Sequence, residues 1–198
     1  MQTMARRLRG GTRDLHDGVE QRLGLPDSLR RPAELHELLR RWHVLFDEIE
    51  RAVGDVHGPS GAAPIAATSA VLSVDLARLG LPTATAPGEP LRLLGDQERA
   101  GATYVLAGSL LGVASVGRAL PRPWTEGVTF LNAAPAAGSP TMTVVRRWLD
   151  GWPEPAFDGL LRGARLAFTR AGDVLGAGPW SEPLPSHDRR DRVVAEVG

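Results

Sequence analysis

Gly101, Gly108, Gly112 and Ser115 lie seven, four and three residues apart in the stretch GATYVLAGSLLGVASVGR. On a helix of 3.6 residues per turn that spacing gathers them on one face. The stretch is bounded as a helix: Asp96 is placed to cap its start, and Pro121 and Pro123 forbid continuation past Leu120. Each interior glycine costs about 0.5–1 kcal/mol relative to alanine. A helix that repeats glycine on one face must therefore gain something from the missing side chains. Two arrangements meet that demand: a second helix pressed against the backbone, or a flat ligand lying on it.

The remaining chain supplies helices to surround this one. Thr3 to Leu23 reads as a first helix with Leu8, Thr12, Leu15, Val19 and Leu23 as its inner stripe. Gly10 and Gly11 weaken its first turns, and Gly24 with Pro26 ends it. Pro32 opens a second helix to about Val53, striped by Leu35, Leu38, Leu39, Trp42, Leu45, Phe46, Ile49 and Val53. His36 and His43 fall at the edge of that stripe. Thr68 to Leu79 predicts a shorter helix, with loops at 54–64 and 82–90. Residues 121–138 read as a long irregular connection, after which Ser139 and Pro140 open another helix. A last helix runs from about Ala156 to Leu175. No alternation of period two exceeds four residues, so the fold expected is all-α: one helical domain over residues 1–175 and a polar tail over 176–198.

Composition narrows the functions available. The 23 basic residues balance 23 acidic ones, which leaves no global basic field for nucleic acid. Every basic residue is Arg, so any anion site must use guanidinium groups, which grip carboxylates bidentately. Without cysteine there is no disulfide, thiolate metal site or cysteine nucleophile. The N-terminus has no apolar leader core and no run reaches the roughly 18 apolar residues of a membrane span. The expectation is a cytoplasmic protein with no membrane or nucleic-acid partner, monomeric or homodimeric.

Of the five histidines, His16 stands one turn before a carboxylate, Glu20, on the same helix face. A metal-bound imidazole usually passes its other ring N–H to such a group. One histidine on one helix and bare backbone on another are what a haem held between two helices, with one open axial position, requires.

The run LRGGTRDLHDGVE resembles the opening helix of haem oxygenases, most closely the bacterial kind found with biliverdin-using phytochromes. YVLAGSLLG resembles that family's distal helix, and SVDLARLG its short middle helix; the likeness spans roughly residues 4–175. It implies a haem-oxygenase-like multi-helical fold and the oxidative cleavage of haem to biliverdin, iron and carbon monoxide. Haem would be both cofactor and substrate, with dioxygen and an external electron donor of ferredoxin or reductase type. It implies His16 as proximal iron ligand, Glu20 as its acceptor, and Gly108 and Gly112 as the distal glycines. It also implies Arg9 and Arg146 as propionate partners, Tyr104 near the haem edge, Phe168 in the apolar wall and Thr12 in the cofactor-binding helix. Ser109 stands where animal members carry an aspartate that orders distal water, and bacterial relatives also have serine there. Val113 follows Gly112 where the family commonly has a second glycine, and its branched side chain is expected to narrow the pocket or stiffen the helix.

Two other classes share this helical type. A non-haem di-iron site needs several inward carboxylates and paired histidines, often as Glu-x-x-His, and no Glu or Asp here precedes a His by three or four residues. A haem carrier or sensor without turnover is the alternative, which Val113 and the Gly/Pro-rich loops allow.

Overall fold

A computed structural model describes residues 2–64 and 67–176. Among them the protein is all-α: α1 (Met4–Gly11), α2 (Arg13–Leu23), α3 (Pro32–Val53), α4 (Thr68–Arg78), α5 (Asp96–Ala119), α6 (Arg122–Thr125), α7 (Thr129–Asp150) and α8 (Phe157–Leu175), with a minimal hairpin of β1 (His57–Gly58) and β2 (Gly61–Ala62). The C-terminal tail foreseen over 176–198, with His187, lies outside the described residues except for Gly176.

α5 is the central element. It packs along α7 on one side and α8 on another, and α3 closes the core behind them. It is long and apolar enough to cross a membrane, with a mean hydropathy of 1.4 in its most apolar window, but 67% of that window is buried within the fold. Gly101 explains part of the glycine pattern. A Cβ there would stand 1.9 Å from the Leu160 carbonyl oxygen of α8, and one on Gly163 would stand 1.9 Å from the Glu98 carbonyl oxygen. Both glycines let two backbones meet, which recovers in packing what glycine costs in helix propensity.

Three expectations need correction. The first helix is broken at Thr12 (φ −118°, ψ 3°). The Gly11 carbonyl is taken by Arg165 of α8 at 2.7 Å, and the Thr12 hydroxyl donates to the Leu8 carbonyl at 2.8 Å, a back-bond that bends helices. Asp96 does not cap α5: Gly95 is the cap residue, and Glu98 accepts the Leu94 N–H at 2.6 Å. The stretch 121–138 is mostly helical, and α7 passes through Gly138 and Pro140 without a break. The start of α7 is capped from elsewhere, since the buried Asp75 carboxylate of α4 accepts the Phe130 N–H at 2.7 Å. Gly138 is required by tertiary packing, its Cβ position lying 3.2 Å from the Leu110 carbonyl oxygen of α5.

One buried ion pair ties a loop to this core. Glu48 of α3 and Arg170 of α8 meet bidentately at 2.7 and 2.8 Å. Arg170 also donates to the Pro87 carbonyl at 2.6 Å, while Glu48 accepts the Leu91 N–H. Both charges are thereby paired and each makes a further hydrogen bond to backbone, which helps a buried pair offset its desolvation.

Candidate functional site

α2 and α5 both pack against α8 and make little contact with each other. α2 is tied to α8 by Arg165, which holds Asp14 bidentately at 2.9 Å, and by Arg22, which reaches the Gly172 carbonyl at 3.2 Å. That guanidinium keeps the Asp14 carboxyl below the usual range. α5 touches α8 at Gly101, but farther along the same face a Cβ on Gly108 or Gly112 would meet nothing within 4 Å.

His16 stands on α2 with its side chain half exposed (51%). Its ring meets the edge of half-buried Phe168 of α8, centroids 5.7 Å apart. Nδ1 faces two carboxylates, Glu20 at 3.6 Å and Asp17 at 3.7 Å. That orientation leaves Nε2 as the ring nitrogen available to a ligand. Thr12, though on the same segment, is buried with its hydroxyl spent on Leu8. Ser109 is half-buried, and its hydroxyl donates to the Val105 carbonyl at 2.9 Å.

Arg9, Tyr104 and Arg146, named separately from the sequence, line one cavity of about 400 Å³ with Thr3, Ala5 and Arg6. Burial pushes the Tyr104 phenol up in pKa, against the opposing pull of Arg146 and Arg9. The phenol is therefore a neutral hydrogen-bond donor at pH 7. The cavity is built from the N-terminal segment, α5 and α7. His16 lies beyond the break at Thr12, on the helix after the one that carries Arg9.

The residue chemistry is compatible with haem: an imidazole with two carboxylates beside its Nδ1, and arginines and a phenol around one cavity. His16, Asp17 and Glu20 also bring their ligand atoms within 4.8 Å of one another, but all three are exposed. Val113 overturns the narrowing expected of it: it is 1% exposed and belongs to the hydrophobic core, pointing away from the face that carries Gly112. Sequence reasoning missed Arg6 and Asp17. Arg6 was legible as the i−3 neighbour of Arg9, whereas Asp17 stood one residue from the helix face under consideration. A larger cavity of about 520 Å³, near the start of α5, sets Asp96 and Glu98 beside Arg162 and contains none of the expected site residues.

Comparison with protein-family models, curated proteins and solved structures returns no match.

Proposed function

We propose that this protein is a haem oxygenase, cleaving haem to biliverdin with release of iron and carbon monoxide. The observation that supports the reading is the meeting of Arg9, Tyr104 and Arg146, which the resemblance puts at the haem edge, around one cavity of about 400 Å³.

When bound, haem supplies the iron that takes up dioxygen and electrons from an external ferredoxin- or reductase-type donor, and its own ring is the substrate. The chain's residues have limited tasks. His16 would hold the iron through Nε2, with Glu20 3.6 Å from Nδ1 on the other side of the ring. The bare backbone at Gly108 and Gly112 admits a macrocycle edge and a small molecule beside it. Ser109, whose proton is committed to Val105, can only accept from a nearby water. Phe168 would cover one side of the His16 ring, and Arg9 and Arg146 would bind carboxylates at the cavity they share.

The test is reconstitution with hemin followed by ascorbate or a ferredoxin system. Loss of the Soret band with growth of red biliverdin absorbance is expected. His16→Ala should abolish the axial-imidazole spectrum and lower turnover by about 100-fold or more; an unchanged spectrum and rate would remove His16 from the site. A Soret band that persists through reduction would identify a carrier or sensor. With Val113 inside the core, one of the sequence features that allowed that alternative no longer does.

A further inference from the structure

α4 is fastened at three places. Glu50 of α3 accepts the Thr68 and Ser69 N–H groups at its start, at 2.7 and 3.1 Å. Asp75, near its end, caps α7 through the Phe130 N–H. Between them half-buried His43 of α3 meets Ser73, Nε2 to Oγ at 2.7 Å. The outer two fastenings are carboxylates. The middle one is an imidazole whose other nitrogen is blind: His43 Nδ1 is buried and has no hydrogen-bond partner among the described residues. A neutral imidazole carries one N–H, and its place is assigned from the surroundings. Buried N–H groups are orphaned more rarely than buried lone pairs, so the proton belongs on Nε2, which donates to Ser73 Oγ. A second proton then has only Nδ1 to go to, where it makes a cation and an N–H with nothing to receive it.

We propose that the His43–Ser73 contact is an acid-sensitive clasp: a proton on Nδ1 releases α4 from α3, and with α4 goes the Asp75 cap on α7. The charges around His43 agree. Burial holds its pKa below the ordinary 6.5, Arg51 pulls the same way and Glu50 opposes both. Arg40 and Asp47, about one turn to either side on α3, are spent on Glu37 and Arg51. On α4 the residues one turn either side of Ser73 are Ser69 and Ala77, neither ionisable. Asp75 and Arg78 of α4 reach Phe130 and Thr129 of α7 instead, and Arg170 of α8, which also reaches α3, is spent on Glu48. A group depressed on folding contributes stability that is complete above its unfolded value and lost as pH falls through the folded one. The clasp is therefore closed above about pH 6.5 and opens below it. It is independent of the haem reading.

The test is backbone amide exchange of the full chain at about pH 7.5 and about pH 5.5, either side of the histidine value, corrected for intrinsic rates. Protection across α4 and at the Phe130 amide should fall about fivefold or more at the lower pH, as expected when a buried donor is left without an acceptor. His43→Gln keeps an N–H for Ser73 and cannot take a proton, so its α4 should be equally protected at both. His36→Gln removes the other half-buried histidine of α3, whose pKa burial also lowers, and should leave the response intact. Equal protection of wild-type α4 at the two pH values overturns the clasp, as does a response that survives His43→Gln or vanishes with His36→Gln. Should His43→Gln fail to fold, the ring-proton NMR titration of His43 in the wild type decides. A midpoint below 6.5 that the Phe130 amide follows supports the clasp, and a midpoint at or above it, or a Phe130 amide that does not follow, overturns it.

Discussion

The two halves of α5 use glycine for opposite ends. In the first half Gly101 is pressed against the Leu160 carbonyl of α8, with no room for a single methyl group. In the second half Gly108 and Gly112, on the same face, look into open space. A helix that closes on its neighbour at one end and parts from it at the other makes a wedge. Burial follows the same division. Residues 100–107 are all buried, whereas Gly108 and Ser109 are intermediate and Gly112 is exposed. A shared residue type on a shared face therefore says nothing about purpose until the opposing surface is known.

Substitutions can break or sharpen this contrast. The largest effect should come from Gly101→Ala, whose Cβ would overlap a backbone oxygen that cannot swing aside. The expected loss is about 3 kcal/mol or more in urea unfolding, up to failure to fold. A loss below about 1 kcal/mol would mean that α5 and α8 are not closely seated there.

Val113→Gly should follow closely, at about 2–4 kcal/mol, from the buried volume removed and the helix propensity lost. Differential scanning calorimetry would register it, and an unaltered Tm would place Val113 on the Gly112 side after all.

Acid should act on the closed half. Burial pushes the Glu98 carboxyl up, but the Leu94 N–H and Arg162 together outweigh it and hold the pKa below the ordinary glutamate value of 4.5. A group depressed on folding contributes stability that is present above its unfolded value and is lost as pH falls through the folded one. Glu98→Gln should therefore flatten part of the stability loss below about pH 4.5. Parallel pH–stability curves for variant and wild type would show the carboxylate to be idle.

The smallest change is expected from Gly108→Ala, since a methyl there meets nothing. Without ligand it should stabilise the protein by about 0.5–1 kcal/mol through helix propensity, while hemin affinity falls. Stabilisation with no change in hemin binding would place the ligand elsewhere.

Much of the fold was legible because its stripes are strong. The apolar run from Leu35 to Val53 could only be a helix buried on one side. The misread places have partners remote in sequence. α7 begins where Asp75, 55 residues earlier, caps Phe130, and no local pattern around Thr129 reveals that. The break at Thr12 depends on Arg165, some 150 residues away, claiming the Gly11 carbonyl. Arg9, Tyr104 and Arg146 were each singled out on their own, and their meeting in one cavity is a tertiary fact that no local pattern announces. Val113 was misjudged because a one-residue step along a helix turns a side chain by about 100°, enough to carry it from the Gly112 face into the core.

The clasp of Glu48 and Arg170 on the loop between α4 and α5 has a bearing on how such a chain can diverge. Pro87 and Leu91 are each fastened to a buried charge, one through its carbonyl and the other through its amide. Extra residues placed between them would have to pull one of those groups away and strand the charge behind it, whereas lengthening between Leu81 and Pro87 would leave both anchorages intact. Length variation in this loop should therefore gather on the α4 side, leaving a fixed span of five residues next to the start of α5.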